Sequence, residues 1–286
     1  MRLAIILSTA NGSEIIRDTL ISISRIACSD NNSVKLILVD QSFDDKVYSV
    51  LCDYVGVIDF VYIHALKRGL SHSRNIGLKV IYDSCDVDYV CFGDDDCSYE
   101  VELLSKIRHT FSGGLRNLIA VGIYVPGTTT LTTYTKRGSY TRLTRFNLSS
   151  CISSISIFLD VRALRRRKIY FHEKLGLGAY FGSCEELDFA HRLLDAGFTG
   201  SYYPDIRVFH ENYVGYSQEK TYRYAIGHGA LTRTFLSKRS PAYLLLAGLN
   251  VFKVFARFPI DFLMKRSLYP KRYSLGFCKG FFEWDE

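Results

Sequence analysis

The eight cysteines of this chain form no C-x-x-C pair, and no group of His and Cys has zinc-site spacing. Free thiols in a reducing cytosol are the simplest account of them. The first residues, Met1 to Leu7, are a short strand-like run followed by polar residues, so no secretory leader is expected. No G-x-G-x-x-G follows that run, which weakens a dinucleotide-binding reading. There is also no clean membrane span, which needs about 20 mainly apolar residues. The longest apolar stretch, Tyr243 to Met264, is broken by Asn250, Lys253, Arg257 and Asp261. Nor does the composition suit disorder: 48% of residues are apolar and 23% charged, ordinary values for a folded protein. At 286 residues the chain is one large α/β domain, or such a domain with an appendage.

What is present centres on Tyr89-Val90-Cys91-Phe92-Gly93-Asp94-Asp95-Asp96-Cys97. Tyr89 to Phe92 reads as a buried strand, being short, apolar and rich in β-formers. Three carboxylates then stand at its carboxyl end, where open α/β sheets bind ligands. Adjacent acids repel one another, and a divalent cation of the Mg²⁺ or Mn²⁺ type would relieve that repulsion. On an extended segment Asp94 and Asp96 would point to one side and Asp95 to the other. A solvated acidic turn is the competing account.

Around this stretch the pattern alternates. Leu3 to Leu7, Val34 to Val39 and Val57 to Ile63 read as strands. Ile15, Ile16, Leu20 and Ile23 have roughly helical spacing behind a Ser13 cap, and Gly69 to Tyr82 looks helical. Strand, helix, strand at this rhythm predicts a doubly wound, mainly parallel sheet. Further on, Tyr99 to Phe111 is a candidate helix and Leu118 to Val125 a strand. Gly127 to Ser150 is a long polar connection, and Ile152 to Leu159 alternates Ser with Ile like a half-buried strand. The basic run Arg165 to Lys168 reads first as a solvated helix face.

Two more stretches are informative. In Gly176 to Asp188 glycines lead into a helix whose first turn carries Glu185, Glu186 and Asp188. Acids there suit the helix dipole, and a carboxylate on a Gly-rich loop can also act as a general base. The helix ends at Gly197, and a strand from Ile206 ends at His210, which reads equally as a structural residue or as a ligand. The second stretch is the tail. Residues 220–286 carry 12 Lys+Arg against 4 Asp+Glu, while the remainder carries 24 against 25. Asn250, Lys253, Arg257 and Asp261 fall on one helical stripe, with Pro259 expected to kink or divide the helix. An amphipathic helix lying on a bilayer, with Lys265, Arg266, Lys271 and Arg272 for anionic head groups, fits this pattern. A helix packed on protein is the alternative.

Taken together these segments resemble the family 2 glycosyltransferases. Ile5 to Asn11 looks like that family's strand-plus-"PTYN" start, with Ser8 where proline is usual. Leu38-Val39-Asp40-Gln41-Ser42 resembles "VVDDGS", with Gln41 in place of an acid. Gly69 to Gly77 is close to "G-x-S-x-A-R-N-x-G", and Gly93 to Asp96 matches the DxD region. Glu185-Glu186-Leu187-Asp188 with Arg192 resembles "E-D-x-D…R", and Val208-Phe209-His210 its closing "V-x-H". The matches are ordered over about residues 3 to 210.

The resemblance implies a GT-A fold: a Rossmann-like, mostly parallel sheet flanked by helices, in a catalytic domain over 1–215. Residues 216–286 would form a basic, amphipathic helical appendage. It also implies an inverting, metal-dependent transfer of a sugar from a nucleotide donor. Thr9 and Asp40 would line the base and ribose pocket, Arg74 would hold the nucleotide, and Asp94 and Asp95 would join that donor set. Asp96 would ligate Mn²⁺ or Mg²⁺, with Asp94 and His210 as further metal contacts. Glu186 stands where the family has its catalytic Asp, and Glu185 is its rival for the role of base.

The expected partners are a nucleotide-sugar donor, with a UDP-sugar favoured, a glycan or lipid-linked glycan acceptor as in bacterial surface-polysaccharide assembly, and an anionic membrane surface. Nucleic acid is not expected, and homo-oligomerisation is left open. The expected location is cytoplasmic, peripheral on the inner membrane. Two rival readings stand beside this one. A nucleotidyltransferase also pairs an α/β sheet with acidic metal ligands. A non-catalytic nucleotide-sugar-binding or partner protein is left open by Gln41 and by the Glu-for-Asp exchange.

Overall fold

The structure, a computed structural model, describes residues 2–10, 14–29, 33–83, 86–114, 116–212, 217–263 and 269–285, with backbone only for 257–263 and 269–271. Strands and helices alternate through the first third: β1 (Leu3–Thr9), α1 (Ile16–Ser29), β2 (Val34–Asp40), α2 (Lys46–Cys52), β3 (Asp59–His64), α3 (Leu70–Asp83) and β4 (Tyr89–Asp94). Then come β5 (Cys97–Tyr99), α4 (Leu103–Ser112), β6 (Leu118–Tyr124), β7 (Thr141–Arg142), α5 (Leu148–Cys151), β8 (Ile157–Asp160), α6 (Val161–Arg167), α7 (Glu185–Asp195) and β9 (Gly200–His210). Three helices close the chain: α8 (Gln218–Ser237), α9 (Pro241–Leu263) and α10 (Tyr269–Glu283).

Among the described residues nine strands form one sheet in the order β3-β2-β1-β4-β8-β6-β9-β5, with β7 paired to β9. Neighbours from β3 to β4 are parallel. β8 is antiparallel to both β4 and β6, so β6 and its parallel neighbour β9 share the direction of β1 to β4. Three short strands, β5, β7 and β8, run the other way. The sheet is thus mostly parallel, as the alternating pattern predicts, and β1 is buried along its whole length as a central parallel strand must be. Alternate residues of β1 serve opposite faces. Leu3, Ile5 and Leu7 join the core that contains Ile16, Leu20 and Ile23 of α1 and Leu103, Leu104 and Ile107 of α4. Ile6 lies under Gly77 of α3, whose missing side chain makes room for it.

By packing, the chain separates into two compact units. One comprises Met1–Arg68, His72–Phe171 and Phe189–Asn212, and holds the sheet. The other comprises Gly69–Ser71, His172–Asp188 and Tyr213–Glu286. In this second unit α8 gathers three small cores. Ile226 and Ala230 meet Leu175, Phe181 and Trp284; Leu231 and Phe235 meet Cys184, Tyr243 and Ala247; and Ala225 meets Val254 and Phe277.

Several local expectations change. The expected strand over Ile152 to Leu159 begins only at Ile157, because Ser154–Ser156 is a 3-10 turn. The Ser156 hydroxyl donates to the Ser153 carbonyl (2.7 Å) and accepts from the Ser153 amide (3.0 Å), a local alternative to the strand ladder. The helix expected from Tyr99 begins at Leu103, since Tyr99 ends β5 with its ring buried. The polar connection 127–150 contains β7 and α5. Helix α9 continues through position 259 to Leu263 and is not divided there. The Ser13 cap, Lys265 and Arg266 lie outside the described residues, as do the side chains of Arg257, Asp261 and Lys271.

Candidate active site

Register brings Thr9, Asp40 and Asp94 to one edge of the sheet. Thr9 is paired with Asp40 across β1 and β2, and Ser8 with Asp94 across β1 and β4. All three residues stand at the carboxyl ends of parallel strands, the edge at which open α/β sheets bind ligands. Asp40 is fully buried and fixed on both oxygens: Oδ1 accepts from the Ser42 amide at 2.8 Å and Oδ2 from the Tyr62 hydroxyl at 2.9 Å. Gln41, which replaces an acid of the family pattern, donates Nε2 to the Lys67 carbonyl at 2.6 Å and so fastens the loop after β3.

The three acids do not lie on a straight strand. Asp94 ends β4, and Asp95 and Asp96 form the turn into β5. The alternation expected of an extended segment therefore gives way, and each acid has its own partner. Asp94 Oδ1 accepts from Arg74 Nη2 at 2.9 Å, and Arg74 is fully buried over the Phe171 ring, 5.5 Å from its centroid. Asp95 Oδ2 accepts from the Thr9 hydroxyl at 2.6 Å. Asp96 Oδ1 lies 3.1 Å from His210 Nε2.

That last contact depends on topology. β5 pairs antiparallel with β9 in a register that sets Cys97 opposite His210, so the residue before Cys97 meets the imidazole. His210 Nδ1 lies 2.6 Å from the Glu211 carbonyl oxygen, which can only accept, so Nδ1 carries a proton and Nε2 faces Asp96. Burial lowers the His210 pKa, but the Asp96 carboxylate and the Glu211 carbonyl outweigh it and raise the pKa above the ordinary 6.5. Asp95 is shifted upward as well. Burial is the main cause, Asp94 and Asp96 add to it, and the Thr9 hydrogen bond opposes it.

Among the described residues no group of three or more His, Cys, Asp or Glu forms a metal cage. A Mg²⁺-like ion held by one or two carboxylates and substrate phosphates needs none. Asp96 offers an anionic oxygen, and His210 is oriented through its other ring nitrogen by a carbonyl, the outer-shell arrangement usual for metal-binding histidines. The donor set suits a Mn²⁺ or Mg²⁺ ion.

Glu185 and Glu186 belong to the second unit, in the first turn of α7. The preceding loop is closed by the Gly176 amide to the Phe181 carbonyl (2.9 Å) and by the Leu70 amide to the Leu177 carbonyl (2.9 Å). Gly176 has φ +100, and a side chain there would come within 3.0 Å of both the Glu185 carboxyl and the Ser71 hydroxyl. Ser71 in turn donates to the Leu175 carbonyl at 2.6 Å. Glu185 is buried and Glu186 half-buried. Cys184, just before them, is held at φ +70, a left-handed backbone unusual for a residue with a side chain. Such strain concentrates at functional segments. Tyr62 and Thr19 (whose hydroxyl donates to the Asp95 and Cys97 carbonyls) were not evident from sequence, because their partners are distant in the chain.

Comparison with known proteins bears on the family and the fold. The profile "Glycosyl transferase family 2" matches residues 4–171. Among solved structures, S. aureus TarS 1-349 superposes with a TM-score of 0.70 at 16% identity, covering 98% of this chain and 80% of that one. The same TarS fragment in complex with UDP gives 0.60 at 18% identity, with coverages of 80% and 65%. A mannosyltransferase from Pyrobaculum calidifontis, in complex with GDP-Man and Mn²⁺, gives 0.61 at 13% identity, with coverages of 98% and 84%. The chain spans 38% of the longer TarS chain it also matches. No curated protein sequence matches it.

Proposed function

The chain belongs to glycosyl transferase family 2, is a glycosyltransferase and has a GT-A fold, and from that premise we propose that it transfers a sugar with inversion from a nucleotide-sugar donor to a glycan or lipid-linked glycan. Residues 1–215 carry the catalysis, and residues 216–286 meet an anionic membrane surface on its cytoplasmic side. The observation that carries the reading is the convergence of Asp94, Asp95 and Asp96 with Arg74, Thr9 and His210 at the carboxyl edge of the sheet. Its neighbours add support, since two of them are seen with UDP or with GDP-Man and Mn²⁺.

In this reading Asp40, with both oxygens already fixed, and Thr9 receive the nucleoside. Arg74 holds Asp94 in place and lends a buried positive charge to the donor side. Asp96 and His210, with Asp94, would hold a Mn²⁺ or Mg²⁺ ion. When bound, such an ion neutralises charge on a departing diphosphate. Glu186, or its neighbour Glu185, takes the proton of the acceptor hydroxyl as that oxygen attacks the anomeric carbon from the face opposite the diphosphate. The new C–O bond forms as the old one breaks, and the nucleoside diphosphate leaves with the electron pair. A single displacement inverts the centre.

A thermal-shift panel tests this reading. UDP, GDP, dTDP and CDP are each added with Mn²⁺, with Mg²⁺ and with EDTA. A ligand that binds only the native state raises the melting temperature. One diphosphate should do so in the presence of metal and lose the effect in EDTA, and Asp96→Ala should abolish the metal-dependent part. A panel in which no diphosphate shifts the melt would overturn the reading.

A further inference from the structure

Helix α9 is apolar on both of its faces. Its inward side is explained: Tyr243, Ala247 and Val254 are buried against α8 and α10. Asn250, from the polar stripe, turns the same way, donating Nδ2 to the Thr232 hydroxyl of α8 at 3.2 Å. The outward side is not explained by the fold. Leu244, Leu245, Leu249, Phe252 and Phe255 are exposed by between 41% (Leu249) and 69% (Phe252). At 3.6 residues per turn they lie within about 140° of arc. A surface helix of a water-soluble protein carries polar residues there, and a contiguous exposed apolar patch marks an interaction site.

From this we infer that the outward face of α9, formed by Leu244, Leu245, Leu249, Phe252 and Phe255, is the surface on which the protein seats itself in an anionic lipid bilayer. The inference builds on the proposed membrane contact of residues 216–286 and states which side makes it. Charge selects the occupant. Residues 220–286 hold 12 Lys+Arg against 4 Asp+Glu, and Lys253 is exposed at one border of the apolar arc. A second copy would bring the same positive excess against itself, whereas anionic head groups match it. Among the described residues no helix is long and apolar enough to cross a membrane. The helix therefore lies in the interface, its inner side on protein and its outer side among acyl chains. The sequence stripe of Asn250 and Lys253 is thus not the solvent face as a unit, since Asn250 points inward and Lys253 outward.

The test is co-sedimentation of the full chain with vesicles of phosphatidylcholine containing phosphatidylglycerol, and with pure phosphatidylcholine. The variant is Leu245→Ser with Phe252→Ser, both exposed and both outside the donor and catalytic residues. Wild type should bind the anionic vesicles, and the variant should bind at least about tenfold more weakly, with its melting temperature and nucleotide-induced shift unchanged. Equal binding by variant and wild type would overturn the assignment of this face while leaving a membrane contact elsewhere standing. Failure of wild type to bind either vesicle would overturn both. A drop in oligomeric state of the variant by light scattering would show that a second copy covers the face and would overturn the lipid assignment. The nucleotide panel is read separately, so failure of the transferase reading shows independently.

Discussion

Asp95 carries an electrostatic cost in the folded protein. Its carboxylate is partly desolvated beside two others, and its pKa is raised, first by burial and then by Asp94 and Asp96. A carboxyl whose folded pKa lies above its unfolded value contributes stability when protonated. That contribution is complete below the unfolded pKa and is lost as pH rises through the folded one. At neutral pH, Asp95→Asn should therefore stabilise the metal-free protein by on the order of 1 kcal/mol, its amide oxygen still accepting from Thr9. The gain should shrink in urea titrations as pH falls towards the ordinary carboxylate range. A gain that persists unchanged in acid would show that charge is not its source. At this scale the sequence was informative about strand-end residues. Thr9, Asp40 and Asp94 each follow an apolar run, and such runs record burial. It said nothing of Tyr62 bracing Asp40 or Thr19 bracing the acidic turn, because those contacts join segments whose local patterns carry no mark of each other.

Among the elements, α8 and α10 pack at a distance only glycine permits. A side chain on Gly280 would lie 1.8 Å from the Ile226 carbonyl oxygen, and one on Gly229 would lie 2.0 Å from that of Phe277. Backbone cannot yield cheaply, and overpacking commonly costs about 1–3 kcal/mol. Gly280→Ala should destabilise the protein by at least that much. Gly248→Ala is the control, since a side chain there meets nothing within 4 Å; it should be neutral or stabilising by up to about 1 kcal/mol through helix propensity. Equal melting temperatures for the two variants would contradict the close packing. Of the helices at this end of the chain, α9 was readable in the sequence from its polar stripe and apolar length, and residues 216–286 only as a helical region. Their order of packing was not, because glycine in a helix reads as a weakness until a neighbouring backbone is seen against it.

For the whole molecule the asymmetry of charge becomes a prediction about salt. Outside residues 220–286 the charges nearly cancel, 24 Lys+Arg against 25 Asp+Glu. Attraction to an anionic vesicle should therefore come from the tail and weaken as the Debye length shrinks, from about 10 Å at 0.1 M salt to about 3 Å at 1 M. A residual, salt-resistant fraction should remain, due to the apolar face of α9. Sedimentation across a salt series checks both parts. Complete release at high salt would remove the apolar contribution, and no response to salt would remove the electrostatic one.

The sequence by itself determined the alternation of strands and helices, the buried central strands, the acids at the end of β4 and the basic, helical end of the chain. These are local properties: period, burial and charge are written in consecutive residues. Tertiary structure alone decided that β5 pairs with β9 and carries Asp96 to His210. It also sent Arg74 to Asp94 and left the outer side of α9 exposed. Pairings between distant segments follow from strand order in the sheet and from which helix face finds a partner, and no local pattern encodes either.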